Sequence, residues 1–436
     1  MTTSNITARL PHYFYADQVK YQAIEAFGSG SPSVRAWAFN GWPAETMSWK
    51  TGCYIHAGLS SPVTRVAGPG AKRWLESLLI NSFAKFPVGT MKHGVMCNER
   101  GLIAAHGIIE RKAEDVFETF AGAPPGPWAL VDVPGDVEIT FPARYLFQIA
   151  GPKSLHLLEK LTGENLRDIR FLRFRDSSIN GMRTEVARIG MSGNLAYELH
   201  GPYEEGPEIY DAVFKAGGEF GLERLGWGSY LVNHVEGGFP QHTWTFRNAD
   251  SEGAPPYPAA GWLVSGSVDP ANTRARNRTP VEVRWENMAR FDHEFIGRAA
   301  LQTEMAAPKR TTLILRWNPE DVMDIFASLL RPGDSYKPLD LPYAPQSWPM
   351  AHADHVLKDG RQIGYSSGTT YSYYFREVLS MGCLDLDASQ IGTEVIVQWG
   401  DYGKKIKNVR AIVARFPYLT EGRNSDLDTA ALAARV

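Results

Sequence analysis

Gly364-Tyr-Ser366-Ser-Gly368 has the spacing of a nucleophile elbow, in which a serine on a strained strand-to-helix turn attacks a carbonyl carbon. The residues after it, Thr369 to Tyr374, are threonine, tyrosine and serine and favour a strand, so no nucleophile is expected there. Gly68-Pro-Gly-Ala-Lys72 has glycines and a lysine but lacks the Gly-Lys-Ser/Thr ending of a phosphate cradle, and reads as a turn before a helix. His352 and His355 are spaced to share a metal but have no recognisable partner carboxylate or cysteine; a surface loop is expected. Cys53, Cys97 and Cys383 form no C-x-x-C pair, which argues against a thiolate zinc site or a disulfide scaffold and suits a reducing compartment. Aromatic residues cluster at Trp37, Phe39 and Trp42, and again at Trp244 and Phe246. Such groups either fill cores or line a pocket for a flat ligand.

These residues need elements to hold them. A helix is read over Tyr15–Ala26, a Gly/Ser turn over Gly28–Ser33, and strand and turn from Tyr54 to Val66. Trp74, Leu75, Leu78 and Leu79 place a helix over about Ala71–Asn81. Asn98-Glu-Arg-Gly101 turns a hairpin, and Ala123 to Pro127 is a proline-rich loop. Tyr145–Ala150 and then Ser154–Leu161 read as strand and helix, as do Val186–Ile189 and Glu208–Gly217. That alternation calls for mixed α/β layers. Residues 253–279 look like a long loop. Beyond Arg310 the texture becomes β-rich: Thr311–Trp317, His355–Lys358, Gln362–Ser366, Val378–Cys383, Glu394–Gln398 and Val409–Ala414 read as strands, with one helix over Asp321–Leu330. A frayed tail is expected from Thr420.

At 436 residues the chain exceeds one ordinary core, and 45 basic against 48 acidic residues leave no nucleic-acid footprint. The N-terminus has no apolar signal core, and no run approaches 18 apolar residues, so a cytoplasmic protein that does not span a membrane is expected.

Seven segments stand in a fixed order: Met96-Cys-Asn-Glu-Arg-Gly101, Leu102 to Ile109, Ile149-Ala-Gly-Pro-Lys153, Gly190-Met-Ser-Gly-Asn-Leu-Ala-Tyr-Glu-Leu199, Val235-Glu-Gly-Gly238, Phe291-Asp-His-Glu-Phe-Ile-Gly-Arg-Ala-Ala-Leu301 and Asp359 to Gly368. Over about residues 50–415 this series resembles the glycine-cleavage T-protein (aminomethyltransferase) superfamily. The Phe291–Leu301 segment, with Gly201-Pro-Tyr203, is most similar to the tetrahydrofolate-dependent aryl O-demethylases of the vanillate/syringate type. The resemblance implies an α+β fold with three domains around a central folate funnel. Residues 1–310 would form two intertwined domains (1–50 with 140–245, and 50–140 with 245–310), residues 311–420 a C-terminal β-barrel, and 421–436 a tail.

It also implies a site. Glu198 stands at the family's pterin-binding glutamate, where a buried carboxylate can accept two parallel N–H donors. Phe171, Met96 and Tyr230 complete the expected cofactor set. Tyr230 matches a functional tyrosine of the O-demethylases, where the T-protein proper has an arginine, and is expected to act as acid or orienting donor. His106 falls at or beside the T-protein's catalytic aspartate, and a histidine can give up a proton near neutral pH. Packing roles remain the alternatives for Tyr230 and His106, and His234 is a further candidate. Methyl transfer from an aryl ether is an in-line displacement that profits from positioning and from a proton for the departing phenolate. The chain departs from the vanillate-type pattern at Ala121-Gly122, which replaces an arginine, and at Ser61, which replaces a histidine. A neutral methoxy or methylenedioxy arene therefore fits better than a benzoate. The expected activity is transfer of a methyl or methylene group from an aromatic ether to tetrahydrofolate, with no metal required. An aminomethyltransferase or N-demethylase acting on an amine, and a non-catalytic folate-binding homologue, stay open.

Overall fold

Short apolar strands alternating with amphipathic helices bury their hydrophobic faces only by layering. The computed structural model describes residues 23–27, 33–57, 63–120, 132–242, 244–249, 263–342 and 350–432. β1 (Ala23–Phe27) pairs antiparallel with β2 (Ser33–Ala38), so the helix expected over Tyr15–Ala26 gives way to a strand from Ala23 onward. Pairing with a neighbouring strand overrides the local helical pattern there. The rest of that expected helix, Ser61, Ala121-Gly122 and the proline-rich loop lie outside the described residues.

α1 (Trp42–Thr51) leads into β3 (Cys53–His56) and β4 (Thr64–Ala67), and α2 (Ala71–Leu78) starts where the glycine-rich turn ends. The expected hairpin forms from β5 (Thr90–Cys97) and β6 (Ile103–Ala113), followed by β7 (Val116–Thr119), β8 (Glu138–Thr140) and β9 (Arg144–Ala150). α3 (Ser154–Thr162), β10 (Phe174–Ile179), β11 (Met182–Ala187), β12 (Ala196–Pro202), α4 (Gly206–Gly217), β13 (Leu222–Arg224) and α5 (Trp227–Gly237) come next. One sheet has the order β10-β11-β12-β9-β3-β13, a second β5-β6-β7-β4-β8. The first packs Phe147, Tyr197 and Leu199 against Leu155 and Leu158 of α3 and Ile209 and Val213 of α4. The second seats Trp74, Leu75 and Leu78 of α2 on Met96, Ile109 and Phe117.

The loop expected over 253–279 contains a short strand, β14 (Leu263–Ser265), and α6 (Arg298–Ala306) follows it. Then β15 (Arg310–Trp317), α7 (Pro319–Ser328), β16 (Met350–His352), β17 (Asp354–Lys358), β18 (Arg361–Ser372), β19 (Glu377–Asp385), β20 (Glu394–Trp399) and β21 (Lys407–Ala414) complete the chain's elements. Six of these strands close a barrel in the order β15-β19-β18-β17-β20-β21 around Leu315, Trp317, Val397 and Trp399. Ser366 of the apparent nucleophile motif sits buried inside β18, its hydroxyl bonded to that of Ser380 at 2.8 Å, as a strand requires.

Two expectations are corrected. His352 is buried rather than on a surface loop, because its Nε2 meets Asp354 Oδ2 at 2.5 Å and its Nδ1 the Ser265 hydroxyl at 2.9 Å. The tail is not frayed as far as it is described: the buried Arg188 guanidinium donates to Asn424 Oδ1 and to the Asn424 and Leu427 carbonyls at 2.6 to 3.1 Å, and to Thr429 Oγ1 at 3.0 Å.

Candidate functional site

Helix α5 stands where the two sheets and the barrel meet, and all eleven of its residues are buried. Two carboxylates, Glu45 and Glu236, fix its ends. Glu45 Oε2 accepts from the Gly226 N–H at 2.8 Å, while Oε1 accepts from Phe39 and Asn40. Burial pushes the Glu45 carboxyl above its usual range, and these backbone donors pull it back. At the other end Glu236 accepts from Trp49 Nε1 at 3.2 Å and the Ser372 hydroxyl at 2.6 Å, and pairs with Lys50 at 2.9 Å. The family-motif glycines work beside it: a Cβ on Gly237 would lie 2.7 Å from the Met191 carbonyl oxygen. Only glycine lets the helix end approach residues 190–193 so closely.

That approach places Met191 against the helix face carrying Tyr230 and His234, which are one turn apart. The Tyr230 hydroxyl lies 3.6 Å from Met191 Sδ, and His234 Nε2 lies 2.8 Å from the same sulfur. Tyr230 is fully buried and stacks on His56 with ring centroids 4.0 Å apart and planes 8° from parallel. Trp227 extends the stack at 5.5 Å, and Trp244 meets Tyr230 edge-on at 5.7 Å. Trp244 therefore lines this region, whereas Phe246 packs against His106 and Trp285. Trp42 instead packs edge-on against Tyr371 and Tyr373 of the barrel, and Phe39 lies in the core of the first sheet.

Glu198 sits on β12 opposite Gln148 of β9 and is 5% exposed. Its Oε1 accepts from Gln148 Nε2 at 3.3 Å and its Oε2 from His200 Nε2 at 3.2 Å. His200 is two residues along the same strand and so on the same face. Burial disfavours its imidazolium, but Glu110, Glu185 and Glu198 around it hold its pKa well above the ordinary histidine value. Burial likewise disfavours the Glu110 carboxylate, and His200 and Lys112 bring it below its ordinary range. Glu110, Glu185 and His200 present ligand atoms within 4.8 Å of one another, the spacing of a metal site. The Lys112 ammonium already contacts both carboxylates, at 3.1 Å from Glu110 and closely at Glu185, so a cation is in place without a metal. A cleft of about 590 Å³ opens onto this cluster between Arg65, Lys112, Arg144, Arg175 and His200.

His106 occupies a different surface. It projects from β6 opposite Val95, among Phe239, Phe246 and Trp285. Its Nε2 accepts from the His242 backbone N–H at 3.2 Å, so the neutral ring carries its proton on Nδ1 and donates it to His93 Nε2 at 3.1 Å. Burial, with His93, His242 and His234 nearby, holds its pKa well below the ordinary histidine value. The expected ready proton donor is thus a neutral ring with both nitrogens engaged inside the protein. His93 is pushed by burial to about 4, and His234 and His242 to about 3. Phe239 touches His93, His106 and His234 and joins this histidine group to the Tyr230 face.

The remaining expected cofactor residues lie elsewhere. Met96 is fully buried in the α2 core, on the face of β5 opposite Val95, since successive strand residues alternate. Phe171 is half-buried in the turn before β10, beyond β11 from Glu198. Sequence reasoning missed His56, His93, Gln148, Met191 and His200. Two had a legible signal: Gln148 is the one polar residue inside the apolar run Tyr145–Ala150, and His200 shares the strand face of Glu198.

Residues 6–251 match the GCVT N-terminal domain family. The chain is 36% identical over 421 residues to a sesamin methylene transferase of Sinomonas sp. strain No.22, covering 90% of this chain and 92% of that protein. It is 28% identical over 431 residues to a syringate O-demethylase of Sphingobium sp. strain SYK-6, covering 91% and 92% respectively. In fold it is similar to the crystal structure of the glycine cleavage system aminomethyltransferase T from Bartonella henselae, with a TM-score of 0.66 and 16% identity over 91% of this chain and 94% of that one.

Proposed function

The chain belongs to the GCVT family, the glycine-cleavage T-protein superfamily, and on that premise we propose that it is a tetrahydrofolate-dependent one-carbon transferase that takes a methyl or methylene group from an aromatic ether. One observation carries the reading beyond the family. Gln148, Tyr54 and Asn233 join Glu198, which would hold the cofactor, by hydrogen bonds to the helix that bears Tyr230, which would serve as the leaving-group acid.

The residues fit such a cofactor. Both Glu198 oxygens are fixed by donors from Gln148 and His200, each retaining a lone pair for an N–H of a pterin edge. Bound tetrahydrofolate would supply the nitrogen that takes up the one-carbon unit. Tyr230 would pass a proton to the aryl oxygen as its bond to carbon breaks. His56 and Trp227 hold the Tyr230 ring by stacking, and water is excluded from the fully buried helix face. His106 and His93, neutral rings on the other side of Phe239, would stay outside the proton transfer. A small methoxy or methylenedioxy arene is the donor class that such an aromatic surround accommodates.

Incubation with tetrahydrofolate and a panel of methoxy- and methylenedioxy-arenes, with folate products read by mass spectrometry, tests this. A 5-methyl product marks demethylation and a 5,10-methylene product marks methylene transfer. Folate binding without turnover on any donor would overturn the catalytic reading, and absence of binding the cofactor reading.

A further inference from the structure

The hydrogen bonds leading away from Glu198 have only one consistent direction. Both Glu198 oxygens accept, so Gln148 must present its Nε2 there and turn its Oε1 the other way. That Oε1 can only accept, and the Tyr54 hydroxyl donates to it. Burial, reinforced by the Glu198 charge, keeps Tyr54 protonated and hence a donor. With its hydrogen spent, the Tyr54 oxygen accepts, and Asn233 Nδ2 donates to it at 3.2 Å. The carboxylate thus sets three side chains in series, and the orientation of the last amide follows from the network. What remains is Asn233 Oδ1, an acceptor with no partner among the described residues, on a side chain that is 0% exposed. Buried acceptors are rarely left unmatched.

Asn233 is three residues after Tyr230 and one before His234, on the α5 face that lines the site. We infer that Asn233 is a specificity-determining residue whose side-chain carbonyl accepts an N–H from the reduced ring of the pteridine cofactor. The inference rests on the folate reading above and deepens it. Glu198 grips donors that reduced and oxidised pteridines share, whereas Asn233 reads the hydrogens that only the reduced ring carries at N5 and N8. An oxidised ring would offer nitrogen lone pairs to an oxygen lone pair there, and be repelled. The site would thereby select the oxidation state competent for one-carbon transfer.

The test is calorimetric titration of the full chain with tetrahydrofolate, under anaerobic conditions, and with folic acid. Wild type is expected to bind tetrahydrofolate at least about ten-fold more tightly than folic acid, the worth of one buried hydrogen bond. Asn233→Leu is expected to lose about ten-fold in tetrahydrofolate affinity while folic acid binding is unchanged or improved, so that the preference disappears. Should that variant not fold by circular dichroism, Tyr54→Phe, which frees the amide to turn either way, is expected to reduce the same preference. A preference that survives in whichever variant folds, or an equal loss for both ligands, overturns the inference and leaves the folate reading standing. Wild type that binds neither pteridine fails the folate reading itself.

Discussion

The imidazole of His56 lies flat against the phenol ring of Tyr230, 4.0 Å between centroids and 8° from parallel, joining the end of β3 to the middle of α5. The contact immobilises the ring while leaving the hydroxyl at its far edge. Tyr230→Phe should therefore keep the stack and the fold but lose the proton. The expected outcome is a fall in kcat of about 10²- to 10⁴-fold with little change in KM. An unchanged kcat would remove Tyr230 from the chemistry.

Glu198→Gln replaces one of the two acceptor oxygens with a donor, which then faces either the Gln148 amide or the His200 N–H. Tetrahydrofolate affinity is expected to fall at least about ten-fold, as for a charge-assisted bond lost on both sides. Unaltered affinity by calorimetry would place the pterin elsewhere.

Acid should unfold the protein early. His93, His106, His234 and His242 are buried neutral, with folded pKa values below the ordinary 6.5. Their contribution is fully present above pH 6.5 and is lost as pH falls, because the unfolded chain binds protons that the folded chain refuses. Four such groups give a slope of about 5 kcal/mol per pH unit near pH 5. His200 has the opposite sign: its raised pKa contributes below pH 6.5 and fades at alkaline pH, so it does not offset the acid loss. Tryptophan fluorescence against pH should show a cooperative transition near pH 5; a fold intact at pH 4 would contradict the buried neutral assignment.

Glu236→Ala would leave Lys50 buried at 5% side-chain exposure without its counter-ion. Breaking such a pair costs about 3–5 kcal/mol. Urea denaturation should register a loss of this size, and a change under about 1 kcal/mol would mean the lysine finds water instead.

Gly237→Ala would put a methyl 2.7 to 2.9 Å from the Met191 and Ser192 backbone. Strain of about 1–3 kcal/mol is expected, with residues 190–193 displaced. Since Met191 touches both Tyr230 and His234, turnover should fall more than stability accounts for. Activity that tracks stability alone would make the contact purely structural.

Helix α5, buried on all sides, and strand β12 gave no legible pattern, but the sequence by itself determined the family, the six barrel strands and helices α2, α3, α4 and α7. These are local or ordered signals: period-2 and helical spacing, glycine punctuation, and motifs in series. The tail escaped because its partner, Arg188, lies far along the chain; the His352 environment depends on distant Ser265 as well as on Asp354, only two residues away. The charge state of His106 escaped for the same reason as the tail. Its type promised a proton donor, but burial among three other histidines and a bond from the His242 backbone keep it neutral. Only the tertiary structure could bring Tyr54, Gln148, Glu198 and Asn233 into one hydrogen-bonded series, since they come from three adjacent interior strands of one sheet, β3, β9 and β12, and from a central helix. A residue's chemical type is written in the chain, but its protonation and the direction of its hydrogen bonds are set by what folding buries it against.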